Sequence, residues 1–194
     1  MSPRRRSRCI VAVASVRAVP DDDAEQVTQV LFGEELAVDE EHAGWARVTT
    51  VYDYPGWVRL EALSSGDPLT EARAYLGAPY EWGGMSERGI DCSGLVHMAF
   101  RRVGVTVPRD GDQQEAAGSE ISAADLQHGD LITYGDDERA DHIAFWAGEG
   151  RILHATARAD AMRVLEEVEP PALAHRRRKL VRLPSSLEPG SAIT

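Results

Sequence analysis

The sequence predicts an α+β protein built in two parts, on three observations. Residues 10–63 read as short strands separated by turn signals. Residues 95–103 read as an amphipathic helix that starts beside Cys92, and the strands expected after Leu131 carry His142 and His154. Strands grouped first, then a helix followed by an antiparallel sheet, is the order of segregated layers rather than of a βαβ repeat. A chain of 194 residues can bury one medium core or two small ones, and 43% hydrophobic with 27% charged residues is ordinary for a globular protein. The net charge, 21 − 32 = −11, argues against a nucleic-acid partner despite basic clusters at Arg4–Arg6 with Arg8 and at Arg176–Lys179.

The N-terminal basic run precedes Cys9-Ile10-Val11-Ala12-Val13-Ala14, which begins like an export signal. Ser15 and then Arg17 interrupt it, whereas a secretory signal uses roughly 7–15 apolar residues and a small-residue cleavage site. The run is therefore read as a first strand, residues 10–19 ending at Pro20, in a cytoplasmic protein. No stretch reaches the about 18 apolar residues of a membrane span. Further strands follow at residues 27–31, 35–38, 45–51 and 56–58, with Pro20 and Gly33 among the turn signals. Five short strands in so little chain suggest a small β-barrel, an architecture used for binding. Ser64-Ser65-Gly66-Asp67-Pro68 is the compact linker-like stretch. It divides a barrel domain at 10–65 from a second domain at 69–184, and a Ser/Pro/Gly-rich tail at 185–194 is expected to fray.

The second domain opens with a helix over 69–76, Thr70 as its N-cap and Gly77 as its stop. Gly83, Gly84 and Gly89 then mark turns before Asp91-Cys92-Ser93. Asp91 is an N-cap type and Gly104 a C-terminal stop, so Cys92 falls in the first turn of a helix whose apolar face holds Leu95, Met98 and Ala99. Unpaired N–H groups and the helix dipole there favour a thiolate. The bland alternative is a cysteine chosen only for packing. A short helix over 112–117 and strands over 131–134, 141–147, 151–155, 164–168 and 180–183 complete the expectation.

Gly148-Glu149-Gly150 reads as a hairpin turn. Pairing about Glu149 sets His142 opposite Thr156 and His154 opposite Ala144, with both imidazoles on one face. One can take a thiol proton while the other orients it. Zinc is the competing use of Cys92, His142, His154 and Asp91, but structural ligands come as close pairs, and the spacings here are 50 and 12. No metal or other cofactor is expected. His42, His97, His128 and His175 lack a comparable setting, and Cys9, far from Cys92 and without a CxxC, is a bystander.

Tyr75-Leu76-Gly77-Ala78-Pro79-Tyr80-Glu81-Trp82-Gly83-Gly84, Asp91-Cys92-Ser93-Gly94-Leu95-Val96, Pro108-Arg109-Asp110, Gln113, Gly129-Asp130-Leu131, His142 and His154 resemble the NlpC/p60 cysteine peptidases. These are papain-like enzymes that cut peptides of bacterial cell walls. The resemblance implies Cys92 as nucleophile, His142 as general base and His154 as the orienting third residue. It implies Tyr80, with the Cys92 N–H, as the oxyanion hole, and Asp91 and Ser93 as substrate-contacting positions.

Residues 14–17, 28–34 and 54–58 look like the bacterial SH3-like domain that precedes the catalytic domain in murein-recycling members. Those members are similar to γ-D-glutamyl-L-diamino-acid endopeptidases accepting peptides with a free N-terminal L-alanine. The resemblance implies Tyr54 and Asp110, with Glu34 or Glu35, as the groups holding that amine. The chemistry agrees, since an ammonium wants carboxylates and a hydroxyl. One departure is Gly111, where such members often carry serine. The expectation is a monomeric cytoplasmic peptidase of murein peptides, with an exported hydrolase of intact wall and a non-catalytic binding module as rivals.

Overall fold

A computed structural model describes residues 5–184. The chain divides into two compact units, one holding the described residues to Gly66 together with Arg102–Gly104, the other Asp67–Arg101 and the described residues from Val105. The tail expected to fray at 185–194 lies outside the described residues.

The first unit is one antiparallel six-stranded sheet of β1 (Arg5–Arg8), β2 (Val13–Arg17), β3 (Gln26–Leu31), β4 (Glu35–His42), β5 (Trp45–Thr50) and β6 (Pro55–Arg59), in the order β1-β4-β5-β6-β2-β3. The sequence reading had five strands and began at residue 10. The arginine run is itself a strand, pairing Arg5 with Val38 and Arg8 with Glu35. Ser7 turns inward and donates to Ser64 O at 2.9 Å, so charge on its neighbours hides a period-two pattern. Cys9, Val16, Val30, Leu36, Val38, Val48, Val58 and Leu63 form one buried cluster with contributions from strands along the whole sheet. Cys9 also extends the β1–β4 pairing, donating its N–H to Glu34 O and accepting from Gly33 N–H. Gly56 permits the close β2–β6 crossing, because a Cβ there would strike Val16 Cγ1 and lie 2.9 Å from Arg17 O.

The second unit begins with α1 (Pro68–Arg73). Its N-cap is Asp67 rather than Thr70: the Asp67 carboxylate accepts from the N–H groups of Leu69 and Thr70, and Pro68 takes the first helical position, where no donor is needed. The small hairpin of β7 (Met85–Ser86) and β8 (Gly89–Ile90) leads into α2 (Cys92–Arg102). The buried stripe of α2 is Cys92, Leu95, Val96, Ala99 and Phe100, while Met98, expected inside, is half-buried. α3 (Gly111–Ala117) follows. A six-stranded sheet is then built from β9 (Ser119–Glu120), β10 (Leu131–Gly135), β11 (Ala140–Gly148), β12 (Arg151–Thr156), β13 (Arg163–Val168) and β14 (Arg177–Arg182), with α4 (Pro171–Ala174) between the last two. Its order is β13-β12-β11-β10-β14-β9.

Phe145 of this sheet stacks on Phe100 of α2 with centroids 6.2 Å apart. Ile132, Tyr134, Ala144 and Ile152 form a separate buried cluster with Trp146, Leu173 and Leu180 packed against it. The β11–β12 register, Phe145 opposite Leu153 and Trp146 opposite Ile152, is the pairing about Glu149 read from the sequence. The helix on its sheet thus sets Cys92 and the histidine hairpin within one unit.

Replacing Gly56 with alanine should destabilise the first unit by about 1–3 kcal/mol through overpacking against Val16 and the Arg17 carbonyl. Urea denaturation followed by tryptophan fluorescence checks this; an unchanged midpoint would show that the strands part freely there.

Candidate active site

Cys92 opens α2, and the residue before it anchors the whole start of the helix. The buried Asp91 carboxylate accepts from Gly94 N–H and Gly83 N–H, each at 2.7 Å. The Arg109 guanidinium grips the same carboxylate with two donors, Nη1 to Oδ1 at 2.9 Å and Nη2 to Oδ2 at 2.8 Å. Arg109 also donates to Ser93 Oγ at 2.9 Å and to Gly84 O at 3.2 Å. The Asp91–Arg109 pair therefore joins the Gly83–Gly84 turn, the helix start and the loop before α3. Gly94 makes room for it: a Cβ there would collide with Gly84 O and come within 2.8 Å of Asp91 Oδ1. Burial favours a neutral Asp91, but the Arg109 bonds and the Gly94 and Gly83 N–H groups outweigh it and hold the carboxyl below its usual range. Asp91 and Ser93, both expected to contact substrate, are tied into this network and both border the cleft beside Cys92.

That cleft encloses about 500 Å³, and Trp82, Cys92, Asp110, Gly111, Arg139 and His142 are among the residues lining it. Burial pushes the Cys92 thiol up to about 11, with the Asp91 charge adding to it, against the lowering effect of the Ile143 and Ser93 backbone hydrogen bonds. Desolvation of the sulfur thus works against the thiolate that the first-turn N–H groups favour. Burial, then His154 and Arg176, depress His142 to about 3, so its imidazole is neutral. The shifts favour the neutral form of both side chains.

His142 Nε2 and His154 Nδ1 are 2.8 Å apart, the shared face expected from the hairpin. His154 is fully buried. Burial keeps it neutral despite the pull of Glu167, whose Oε1 is 3.1 Å from its Nε2. Arg158 holds Glu167 with two donors at 2.8 and 3.1 Å. Burial would raise the Glu167 carboxyl, but Arg158 and His154 together hold it below its ordinary range. Sequence reasoning missed Glu167, Arg158 and the anchoring role of Arg109. The signal for Glu167 lies in Val164-Leu165-Glu166-Glu167, where alternation on β13 gives residues 165 and 167 one face, but using it requires the β12–β13 register.

Tyr80 is half-buried at a bridge to Ile90. Burial, then the Cys92 and Asp91 charges, push its phenol up to about 12, so it remains a hydrogen-bond donor. Asp110 is exposed on the cleft wall, and a Cβ at Gly111 would meet Ile143 and Ser93 only at 3.8 and 4.0 Å, leaving room for a side chain. Tyr54 and Glu34 belong to the first unit. Tyr54 is 44% exposed rather than a core aromatic, its ring 6.5 Å from that of Tyr52. Glu34 accepts from Leu31 N–H at 2.8 Å, whereas Glu35 is paired with Arg8 and, at 3.3 Å, with Arg6.

A helix-borne cysteine facing a histidine on an antiparallel sheet is the arrangement of papain-like peptidases. Residues 77–176 match the model of the NlpC/P60 family, and the chain belongs to that family. Residues 16–63 match the bacterial dipeptidyl-peptidase Sh3 domain. A γ-D-glutamyl-L-lysine dipeptidyl-peptidase of Bacillus subtilis (strain 168) is 27% identical over 157 residues, 76% of this chain and 53% of that protein. A probable endopeptidase of Corynebacterium glutamicum is 35% identical over 106 residues, 54% of this chain and 50% of that one. The crystal structure of an NlpC/P60 family protein from Bacillus cereus superposes with a TM-score of 0.59 at 25% identity, covering 94% of this chain and 65% of that chain. The chain spans about half the length, or less, of the curated relatives it matches first.

The depressed Asp91 carboxyl has a defined consequence for acid stability. Its contribution is fully present above the ordinary carboxylate pKa and is lost as pH falls through the lower, folded value. Thermal melts from pH 7 down to pH 3 should show the wild type losing stability steeply at the acid end. Asp91→Asn should start from a lower melting temperature at pH 7 and fall less steeply; parallel curves would deny Asp91 this role.

Proposed function

We propose that this chain is a cysteine endopeptidase that hydrolyses the γ-D-glutamyl–diamino-acid bond of murein peptides bearing a free N-terminal L-alanine. It would act as a cytoplasmic monomer in peptide recycling and need no cofactor. One observation carries the reading: Cys92 at the start of a buried helix shares a cleft with His142, whose other ring nitrogen is held by His154. Family membership and the name of the Bacillus subtilis relative support the bond type.

In the proposed reaction the scissile carbonyl enters the cleft and the Cys92 proton passes to His142 as sulfur attacks carbon. The Cys92 N–H, one of the unpaired donors of the helix start, and the Tyr80 hydroxyl receive the oxyanion. His142 protonates the leaving amine of the diamino acid. Water then gives a proton to His142 and cleaves the thioester, releasing L-Ala-γ-D-Glu and regenerating the thiol. Asp110 supplies a carboxylate on the cleft wall for the substrate ammonium. Tyr54 and Glu34 stay in the proposal on the family resemblance alone.

Hydrolysis of L-Ala-γ-D-Glu-diaminopimelate beside an N-acetylated copy tests this. Cleavage of the free-amine peptide only, abolished in Cys92→Ala, is expected. Equal cleavage of both peptides would remove the recycling specificity, and cleavage of intact wall in preference to either would favour the exported hydrolase. No cleavage at all would favour a binding module. Tyr80→Phe should lower kcat by about 10²-fold, the scale of one oxyanion donor; an unchanged kcat would exclude its hydroxyl from the hole. Gly111→Ser should fold as well as the wild type, within about 0.5 kcal/mol, and alter KM more than kcat. Unchanged kinetics would show that a hydroxyl there meets no substrate.

A further inference from the structure

We infer that Glu167, clamped by Arg158, is a positioning residue that fixes the tautomers of both histidines and leaves His142 with an unprotonated Nδ1 for the thiol. The functional meaning rests on the peptidase reading above, but the tautomers themselves do not.

The argument is one of donors and acceptors. A carboxylate paired with an arginine has no proton to give, so it only accepts. Glu167 Oε1 and Oε2 each take a bond from Arg158, which Asp160 holds in turn at 2.7 Å. The 3.1 Å contact between Glu167 Oε1 and His154 Nε2 is therefore a bond donated by His154, and Nε2 carries its proton. A neutral imidazole has one N–H, so His154 Nδ1 is a lone pair. The 2.8 Å contact to His142 Nε2 must then be donated by His142. His142 has spent its single proton on that bond, and its Nδ1 is the nitrogen left bare for the cleft it lines with Cys92. His154 is fully buried, so bulk water is no substitute acceptor for its Nε2–H.

The sheet builds this chain deliberately across two strands. His154 lies opposite Leu165 and Ile152 opposite Glu167, which makes Glu167 the diagonal neighbour of His154 on one face of β12 and β13. Without the carboxylate, His154 can carry its proton on Nδ1 instead. His142 would then accept at Nε2 and hold its proton on Nδ1, a donor where the reaction needs a base. When the Cys92 proton does arrive at Nδ1, the resulting imidazolium keeps its Nε2–H on His154, and the Glu167 charge lies at the far end of the chain.

The test uses the full chain with 15N-labelled histidine, read at neutral pH by long-range 1H–15N correlation. Both His142 and His154 should appear as Nε2–H tautomers. Glu167→Gln, whose amide can also donate, should give His142 a measurable Nδ1–H population. It should lower kcat/KM by about 10-fold to 10²-fold, within the range of general-base assistance, with little change in KM. Glu166→Gln, which breaks the pairs of the neighbouring carboxylate with Arg73 and Arg151, should move neither the tautomers nor kcat. A wild-type His154 protonated on Nδ1 would overturn the inference, and so would a Glu167→Gln protein indistinguishable from Glu166→Gln. If Glu167→Gln does not fold, the wild-type spectrum alone decides. Failure of the wild type to cleave any murein peptide would instead sink the proposed function and leave the tautomer assignment standing.

Discussion

The candidate site depends first on the buried Asp91–Arg109 pair. An isolated carboxylate with so little exposure would cost several kcal/mol, and the pair is tolerable because every oxygen is matched by directed donors. Those donors come from three separate stretches of chain: the Gly83–Gly84 turn, the first turn of α2 and the loop before α3. Gln114 reinforces the third, giving its Nε2 hydrogens to Ser93 O at 2.9 Å and Pro108 O at 2.8 Å. Removing Arg109 would leave the buried Asp91 carboxylate without its cation, so the cleft wall around Cys92 depends on the pair.

A second, independent network faces the first from the sheet. His142, His154, Glu167 and Arg158 run from the cleft to the far side of β13, each held by the next. The two networks meet at the cleft that Asp91, Cys92 and His142 all line. Cys92 is thus located by the helix and His142 by the sheet, and the Phe100–Phe145 stack joins one element to the other.

What the sequence made legible follows the range of the interactions. The histidine hairpin was readable because its turn, alternation and pairing are local to Gly148–Gly150. The helix behind Cys92 was readable for the same reason, although Met98 was placed too deep because Phe100 takes the buried position. Strand β1 was hidden, since alternation around Ser7 is masked by arginines that pair outward with Glu35 and Glu41. Glu167 and Arg109 were invisible as site residues because their partners lie across strands or loops, and a side chain's target at long range leaves no spacing to read. The setting of Cys92 divides the same way: the helix N-terminus that favours a thiolate is a local feature, but the desolvation that opposes it comes from the whole fold.

That burial has a further consequence for the sulfur. Sulfur reacts with peroxides and other soft electrophiles as the thiolate, and the rate follows the thiolate fraction and its exposure. Burial favours the protonated thiol of Cys92 and leaves only 8% of the residue's surface open. The burial that favours the protonated thiol therefore also limits the access of oxidants to the sulfur.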